Sequence, residues 1–152
     1  MRVGVISDTH GLLRPETLRA LAGVDHILHG GDIGREEIVP ELERIAPVTA
    51  IRGNVDRAPW AARFPETVDI VLEGARIHMR HDRKTLDFDP IARGIDVVIS
   101  GHSHKPLIER QGNVLYLNPG AAGPRRFKLP ITLAFLHLGE GAPRVDSLDL
   151  LD

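Results

Sequence analysis

The sequence begins with a short apolar segment that ends abruptly in polar residues. Residues 2–7 are mostly apolar, which is typical of a strand buried on both faces of a sheet, and Asp8, Thr9, His10 and Gly11 follow directly. Residues i and i+2 of an extended segment point the same way, so Asp8 and His10 can meet just beyond the carboxyl end of the strand. In open α/β sheets ligands bind at that edge, and a carboxylate with an imidazole can hold a metal. Taken alone, the pair is better explained as an Asx-type turn, but the rest of the chain reverses that interpretation.

The same pattern, an apolar strand followed by a turn with metal-capable side chains, occurs four more times. The later turns are Gly31-Asp32, Gly53-Asn54, Arg80-His81 and Gly101-His102-Ser103-His104. Strand ends converge at one edge of a sheet, so seven candidate ligands come together: Asp8, His10, Asp32, Asn54, His81, His102 and His104. One first-row ion takes about four to six ligands, so seven favour two ions that share a carboxylate. Oxygen and nitrogen donors without sulfur favour Mn, Fe or Zn over Mg or Ca, and the chain has no cysteine.

The order of predicted elements favours two packed sheets. Strands at 2–7, 26–29 and 48–51 alternate with helices at 15–22 and 35–45, where Pro40 predicts a kink or a late start. Helical crossovers predict parallel pairing of these strands. The second half predicts strands at 68–73, 76–80, 97–99, 107–110, 114–117, 131–138 and 145–150, and a short helix at 89–94. Parallel units followed by hairpins are typical of two sheets with helices outside.

Length and charge narrow the class of protein. We expect residues 1–152 to form one domain, because this length can bury a core without disulfides. The formal net charge of −2 argues against strong nucleic-acid binding. No apolar run reaches the roughly 18 residues that span a membrane, and the N-terminus does not resemble a signal peptide. We therefore expect a cytoplasmic protein without a membrane partner, and the sequence leaves homo-oligomer formation open.

The five ordered motifs resemble those of the calcineurin-like metallophosphoesterase superfamily. The short length, Gly53-Asn54-Val55-Asp56 and Asn118-Pro119-Gly120 are similar to its small prokaryotic YfcE-type phosphodiesterases, and the resemblance covers residues 2–124. It implies a four-layer α/β/β/α sandwich, with two mixed sheets packed face to face and helices outside. It also implies two ions, one held by Asp8, His10, Asp32 and His104, the other by Asp32, Asn54, His81 and His102, with Asp32 as the bridge.

These expectations describe a metal-dependent phosphodiesterase acting on a small diester. Two adjacent ions can clamp the oxygens of an in-line displacement, and a hydroxide that bridges them is the expected nucleophile, so no side-chain nucleophile is needed. We expect Mn, with Fe, Zn or Ni as alternatives. The alternative function is a catalytically weak scaffold of the same fold, similar to the retromer subunit. The presence of all seven ligand side chains favours the enzyme.

Three positions depart from the family pattern. Asp82 and Arg83 follow His81, where relatives usually have Gly and often a second His, and Ala121 follows Asn118-Pro119-Gly120, where Ser is usual. Val55 occupies the position at which many superfamily enzymes carry a catalytic His. The YfcE-type enzymes also lack that His, so Val55 narrows the subfamily.

The remaining histidines and charged residues allow simpler explanations. His26, His29, His78 and His137 are better explained as hydrogen-bonded structural residues, although His29 could support a ligand. Asp56 either orients Asn54 or caps the next turn. Four basic side chains could face a phosphate but are individually better explained as surface charge: Arg83, Lys84, Arg125 and Arg126. We prefer Arg125 as the exception that, with Asn54, contacts substrate.

Overall fold

The computed structural model describes residues 1–152 and contains two mixed five-stranded sheets. In chain order the elements are β1 (Arg2–Ile6), α1 (Pro15–Leu21), β2 (His26–His29), α2 (Ile38–Glu43), β3 (Val48–Ala50), β4 (Thr67–Leu72), β5 (Ala75–Arg80), β6 (Val97–Ile99), β7 (Leu107–Gln111), β8 (Val114–Asn118), β9 (Thr132–His137) and β10 (Arg144–Asp149). Two 3₁₀ turns, Pro59–Arg63 and Arg83–Thr85, complete the regular structure.

Parallel pairing brings strand ends together within each sheet. The first sheet has the order β10-β9-β1-β2-β3, and β1, β2 and β3 are parallel. The second has the order β4-β5-β6-β8-β7, and β5, β6 and β8 are parallel. The carboxyl ends of the parallel strands in each sheet therefore lie at one edge, as the sequence predicted for β1, β2 and β3.

Two apolar layers hold the fold together. Val3 and Val5 of β1 pack between the sheets, against a cluster that includes Ile77 and Met79 of β5. On its other face the first sheet packs against α1 and α2. Gly4 faces α1, where a Cβ would collide with the Leu21 side chain, so glycine lets the helix approach the strand. The alternation of β1 residues between the two layers explains its nearly complete apolar character.

The outer face of the second sheet has a thinner cover. Val98 and Tyr116 pack there with Ile95, and Leu86 and Phe88 lie against this cluster. The cover consists of the 3₁₀ turn Arg83–Thr85 and successive turns, without an α-helix. The predicted face-to-face α/β sandwich is confirmed, with this difference in its fourth layer.

The predicted helix at 89–94 is wrong. The segment forms turns, in which the Asp89 side chain accepts the Ile91 N–H at 3.0 Å and the Asp89 carbonyl accepts the Arg93 N–H at 3.2 Å. Gly94 then adopts a φ of 69°, which ends the turn. Asp, Pro and Gly suit both a helix terminus and a turn, so composition could not separate them.

The second predicted helix is shorter than its sequence pattern. It begins at Ile38, so Pro40 lies in its first turn, where the missing N–H of proline has no helical partner to lose. The late start is therefore the correct alternative for Pro40. No helix is long and apolar enough to cross a bilayer.

Candidate metal centre

Six of the seven predicted ligands form two groups of three at the strand ends. Asp8, His10 and His104 form one group, and Asp32, His81 and His102 form the other. Within each group the donor atoms lie within 4.8 Å of one another. The groups collect residues that follow β1, β2, β5 and β6, so the two sheets contribute jointly.

The first group has the spacing of donors around one ion. The Nε2 atoms of His10 and His104 are 3.2 Å apart. Oδ1 of Asp8 lies 3.7 Å from Nε2 of His10 and 3.4 Å from Nε2 of His104. Donors about 2.1 Å from a common ion are about 3.0 to 3.4 Å apart at octahedral and tetrahedral angles. Small side-chain adjustments therefore suffice for these three atoms to hold one cation.

Asp32 lies between the two groups. Its Oδ2 is 3.0 Å from Nε2 of His81 and 3.6 Å from Nε2 of His10. Oδ1 of Asp8 is also 3.7 Å from Nε2 of His81. A carboxylate oxygen placed near both groups is what a bridging ligand requires.

Two buried polar atoms that face these groups have no hydrogen-bond partner, namely Oδ1 of Asp8 and Nε2 of His81. Leaving such atoms unsatisfied costs about 1–3 kcal/mol each, and more for charged groups. Nδ1 of His81 lies 2.7 Å from the Gly30 carbonyl and donates its proton there, so the neutral imidazole presents the lone pair of Nε2 to the cluster. A cation is the partner that satisfies both atoms.

Several of the predicted ligands have a backbone conformation that is unusual for residues other than glycine. Seven non-glycine residues have a positive φ, and five of them are predicted ligands: Asp8, His10, Asp32, His102 and His104. Left-handed backbone is unfavourable for most side chains and concentrates at functional sites. The tight turns use this conformation to aim side chains back across the strand ends.

Two glycines make room for the carboxylates. A Cβ at Gly53 would collide with the carboxylate of Asp32, and a Cβ at Gly101 would collide with Ser7 and crowd Oδ2 of Asp8. Neither glycine has a positive φ, so the requirement is space and not backbone conformation. The Gly-Asn and Gly-His motifs therefore supply a ligand and also the space for a carboxylate from another strand.

A family model for the calcineurin-like phosphoesterase superfamily domain matches residues 1–141. The chain belongs to this superfamily. A probable metallophosphoesterase from Methanothermobacter thermautotrophicus is 36% identical over 151 residues, which cover 92% of this chain and 88% of the relative. Phosphodiesterase YfcE from Escherichia coli K12 is 30% identical over 146 residues, covering 80% of this chain and 79% of the relative. The protein is a metallophosphoesterase, as the resemblance predicted.

A solved structure of a differently named protein has the same fold. The crystal structure of wild-type Vps29 complexed with Zn²⁺ from Entamoeba histolytica matches with a TM-score of 0.76 and 23% identity. The match covers 99% of each chain. At this identity the likeness supports the four-layer fold of the phosphoesterase domain.

Charge balance at the centre of this phosphoesterase favours cations. Burial opposes ionisation of Asp8, but the imidazoles of His10 and His104 hold the pKa of that carboxyl well below its usual range. The Ser7 hydroxyl also donates to Oδ2 of Asp8 at 2.7 Å. Burial likewise opposes ionisation of Asp32, and its contact with His81 lowers the pKa. Both carboxylates are therefore anionic at neutral pH.

The pKa of His81 shifts upward, whereas the pKa values of the two aspartates shift downward. Burial favours its neutral form, but the adjacent Asp32 carboxylate outweighs this effect and raises the pKa of His81. Protonation of His81 in the metal-free protein would offset part of the carboxylate charge, and the raised pKa extends the pH range over which this proton is held.

Asp56 forms hydrogen bonds to two of the ligand-bearing turns. Its carboxylate accepts the backbone N–H groups of Ile33 and Gly34 at 3.0 Å each, and that of Gly53 at 2.8 Å. Ile33 and Gly34 follow Asp32, and Gly53 precedes Asn54. Asp56 therefore sets the separation of these turns, a broader role than the two alternatives predicted for it.

The other four histidines have structural partners, as predicted. His26 bonds Thr49, His78 bonds Asp69 and His137 bonds Asp146, at 2.8, 2.9 and 2.8 Å. Nδ1 of the fully buried His29 accepts the Gly31 N–H at 3.1 Å, and its Nε2 lies 3.0 Å from the Thr9 hydroxyl. His29 therefore supports the turns that carry Asp8 and Asp32.

The two predicted substrate-binding residues, Asn54 and Arg125, are exposed. Asn54 is exposed beside His81 along one cleft, and the N–H of the next residue, Val55, donates to Oδ1 of Asp32 at 3.1 Å. Arg125 is exposed, and its guanidinium donates to the Leu129 carbonyl of its own loop at 3.0 Å.

Asp82 has a local role after His81. It caps the 3₁₀ turn by accepting the Lys84 N–H at 3.0 Å, and its Oδ2 lies 3.9 Å from Nε2 of His102. Ser7, which sequence reasoning did not select, could have been suggested by its position directly before Asp8.

Proposed function

We propose that this metallophosphoesterase hydrolyses a small phosphodiester with two divalent ions bound at the strand ends. Asp8, His10, Asp32 and His104 would hold one ion, and Asp32, Asn54, His81 and His102 would hold the other. The observation that carries the proposal is the position of Asp32 between two three-donor groups, with Oδ2 3.0 Å from His81 and 3.6 Å from His10. When bound, the ions would activate water and stabilise negative charge on the phosphoryl oxygens.

The chain's own residues position the ligands and the substrate. The Gly30 carbonyl orients His81, Ser7 orients Asp8, and Asp56 fixes the separation of the Asp32 and Asn54 turns. The Asn54 side chain would also contact a phosphoryl oxygen. Arg125 would bind substrate after releasing the Leu129 carbonyl, since a guanidinium suits phosphate oxygens.

We propose Mn as the preferred metal. The ligands are imidazoles, carboxylates and one amide, without sulfur, and this set suits Mn, with Fe, Zn or Ni as alternatives. Hydrolysis of bis(p-nitrophenyl) phosphate after loading with each metal compares them directly.

The test combines metal content with activity. Mn-loaded protein, freed of excess ion, should contain two equivalents, and Asp32→Asn and His81→Ala should each lose most diesterase activity while staying folded. Asp25→Asn and His137→Ala are matched controls, because these residues hydrogen-bond outside the centre. A stoichiometry at or below one would contradict the two-ion proposal. Full activity in His81→Ala would show that another residue supplies that ligand.

The scaffold alternative predicts a different result. A binding module of this fold could retain two ions and still hydrolyse no diester. The complete set of seven ligand side chains supports the enzyme. Turnover that is abolished by chelation and restored by Mn would exclude a purely scaffolding role.

A further inference from the structure

A cleft of about 460 Å³ opens next to His102. Its walls come from the 3₁₀ turn Arg83–Thr85 and the turn at 101–105, and they include Lys84, Ser103 and Lys105. His102 belongs to the second ligand group and also lines the cleft. A molecule held at the metal centre could therefore extend directly into this space.

Lysines, which are rare in this chain, line the cleft. The chain has only three lysines, Lys84, Lys105 and Lys128, against sixteen arginines, and two of the three line this cleft. Both are exposed, and neither forms an ion pair. The ammonium groups are therefore available to a ligand.

Two neighbouring carboxylates, Glu109 and Asp82, affect the charge of the cleft. Arg83 pairs with Glu109 at 3.0 Å and stacks over the Tyr116 ring at 4.0 Å. The Asp82 carboxylate accepts the Lys84 backbone N–H and lies 3.9 Å from His102. Arg83 and Glu109 neutralise each other, so Lys84 and Lys105 outnumber the remaining carboxylate of the cleft wall, Asp82, and give the cleft a net positive charge.

The hydroxyl of Ser103 adds a directed donor. Its oxygen accepts the Asn118 amide N–H at 3.1 Å and the Lys105 backbone N–H at 3.2 Å. With both lone pairs engaged, the hydroxyl proton has no acceptor among these partners. Two ammonium groups and a free O–H donor form a set suited to an anion.

We propose that this cleft binds a second anionic group on the substrate, so that the enzyme prefers a phosphodiester with one negatively charged arm. The inference rests on the proposed diesterase function, because the first anion is the phosphodiester at the metal centre. The shared wall at His102 places both anionic groups of one molecule within reach. The charged terminus could be a phosphate, sulfonate or carboxylate, because the donors recognise charge and oxygen atoms.

The test uses two substrates that differ in one charge. Both are p-nitrophenyl alkyl phosphodiesters, and the alkyl arm ends in a sulfonate in one and in a neutral methyl sulfone in the other. We expect wild-type kcat/KM to favour the sulfonate about tenfold, since two exposed ion pairs are worth roughly 0.2–1 kcal/mol each. The ratio should fall toward one in Lys84→Gln/Lys105→Gln and at high salt. Lys128→Gln, which changes the remaining lysine, should keep the wild-type ratio.

A binding measurement separates failure of the inference from failure of the proposed function. Calorimetry compares the sulfonate and sulfone forms of the alkyl phosphate product with Mn-loaded protein. A wild-type affinity ratio near one, or a ratio unchanged in the double variant, would overturn the cleft proposal. If neither diester is hydrolysed but the affinity ratio depends on the two lysines, the anion site stands and the diesterase proposal fails.

Discussion

Replacement of Asp56 by Asn tests whether the Asp56 carboxylate positions the turns that carry Asp32 and Asn54. Oδ2 of Asp56 accepts from Ile33 and Gly53, and Oδ1 accepts from Gly34. An asparagine has one acceptor oxygen, so its NH₂ group must face at least one backbone N–H.

The structure sets the expected magnitude. One unsatisfied buried N–H costs about 1–3 kcal/mol, and the bonds that remain lose the charge of the acceptor. We therefore expect Asp56→Asn to lower the free energy of unfolding by about 2–4 kcal/mol. Because Asp56 is buried, at 4% exposure, water cannot readily replace the lost acceptor. Asp25 accepts one exposed N–H, from Arg2 at 2.8 Å, so Asp25→Asn should cost about 1 kcal/mol or less.

Urea unfolding of the metal-free proteins measures the stability difference. Metal titration and diesterase kinetics then test function, and we expect a tenfold to hundredfold loss of metal affinity or activity, typical when a residue that orients ligands is removed. An Asp56→Asn variant that is no less stable than Asp25→Asn and keeps wild-type metal affinity would refute this role of Asp56. Loss of stability with full metal affinity would show that Asp56 supports the fold without positioning the ligands.

Three further predictions concern His29, Val55 and Arg125. Burial lowers the pKa of His29 to about 4, so its contribution to stability is complete above about pH 6.5 and is lost as the pH falls to 4, by about 3 kcal/mol. Urea unfolding of metal-free wild type and His29→Asn should show this as a stability difference that changes with pH, and parallel curves would contradict it. Val55 cannot protonate a leaving group, so kcat/KM should fall steeply as the leaving-group pKa of aryl diesters rises. Val55→His should flatten that dependence if its imidazole reaches the leaving oxygen, since general acid catalysis is typically worth ~10²–10⁴-fold; a shallow wild-type slope would indicate another donor. Arg125→Gln should raise KM for diesters about tenfold, in line with one lost charged hydrogen bond, whereas an unchanged KM would remove Arg125 from the substrate site.

The strands and the ligand-bearing turns could be predicted because their causes are local. An apolar run that ends in Asp-Thr-His or Gly-His-Ser-His marks both a buried strand and the polar turn at its end. Parallel pairing of β1 with β2 and of β5 with β6 brings the ligand-bearing turns to one edge of each sheet. Packing of the two sheets then combines six side chains into two groups. The segment at 89–94 failed because Asp, Pro and Gly favour turns and helix ends equally.

The contacts that could not be predicted join residues distant in the chain. Asp56 bonds backbone groups 22 and 23 residues earlier, and a backbone N–H carries no sequence signature. The cleft at Lys84 and Lys105 depends on how the turn after β5 faces the turn after β6. For the same reason, the hydrogen bond from the Arg125 guanidinium to the Leu129 carbonyl could not be predicted.

A proton on His81 can take the place of a metal ion in balancing the charge of the two buried carboxylates. Asp8 and Asp32 are buried and anionic, and the adjacent Asp32 raises the pKa of His81 although burial alone would lower it. A second proton on His81 can occupy only Nε2, because Nδ1 already carries the proton donated to Gly30. Nε2 is also the atom that a metal ion would need, so proton and metal compete for one lone pair. Metal affinity should therefore increase as the pH rises through the elevated pKa of His81, and a metal ion that displaces this proton leaves the carboxylates neutralised more completely than the proton did.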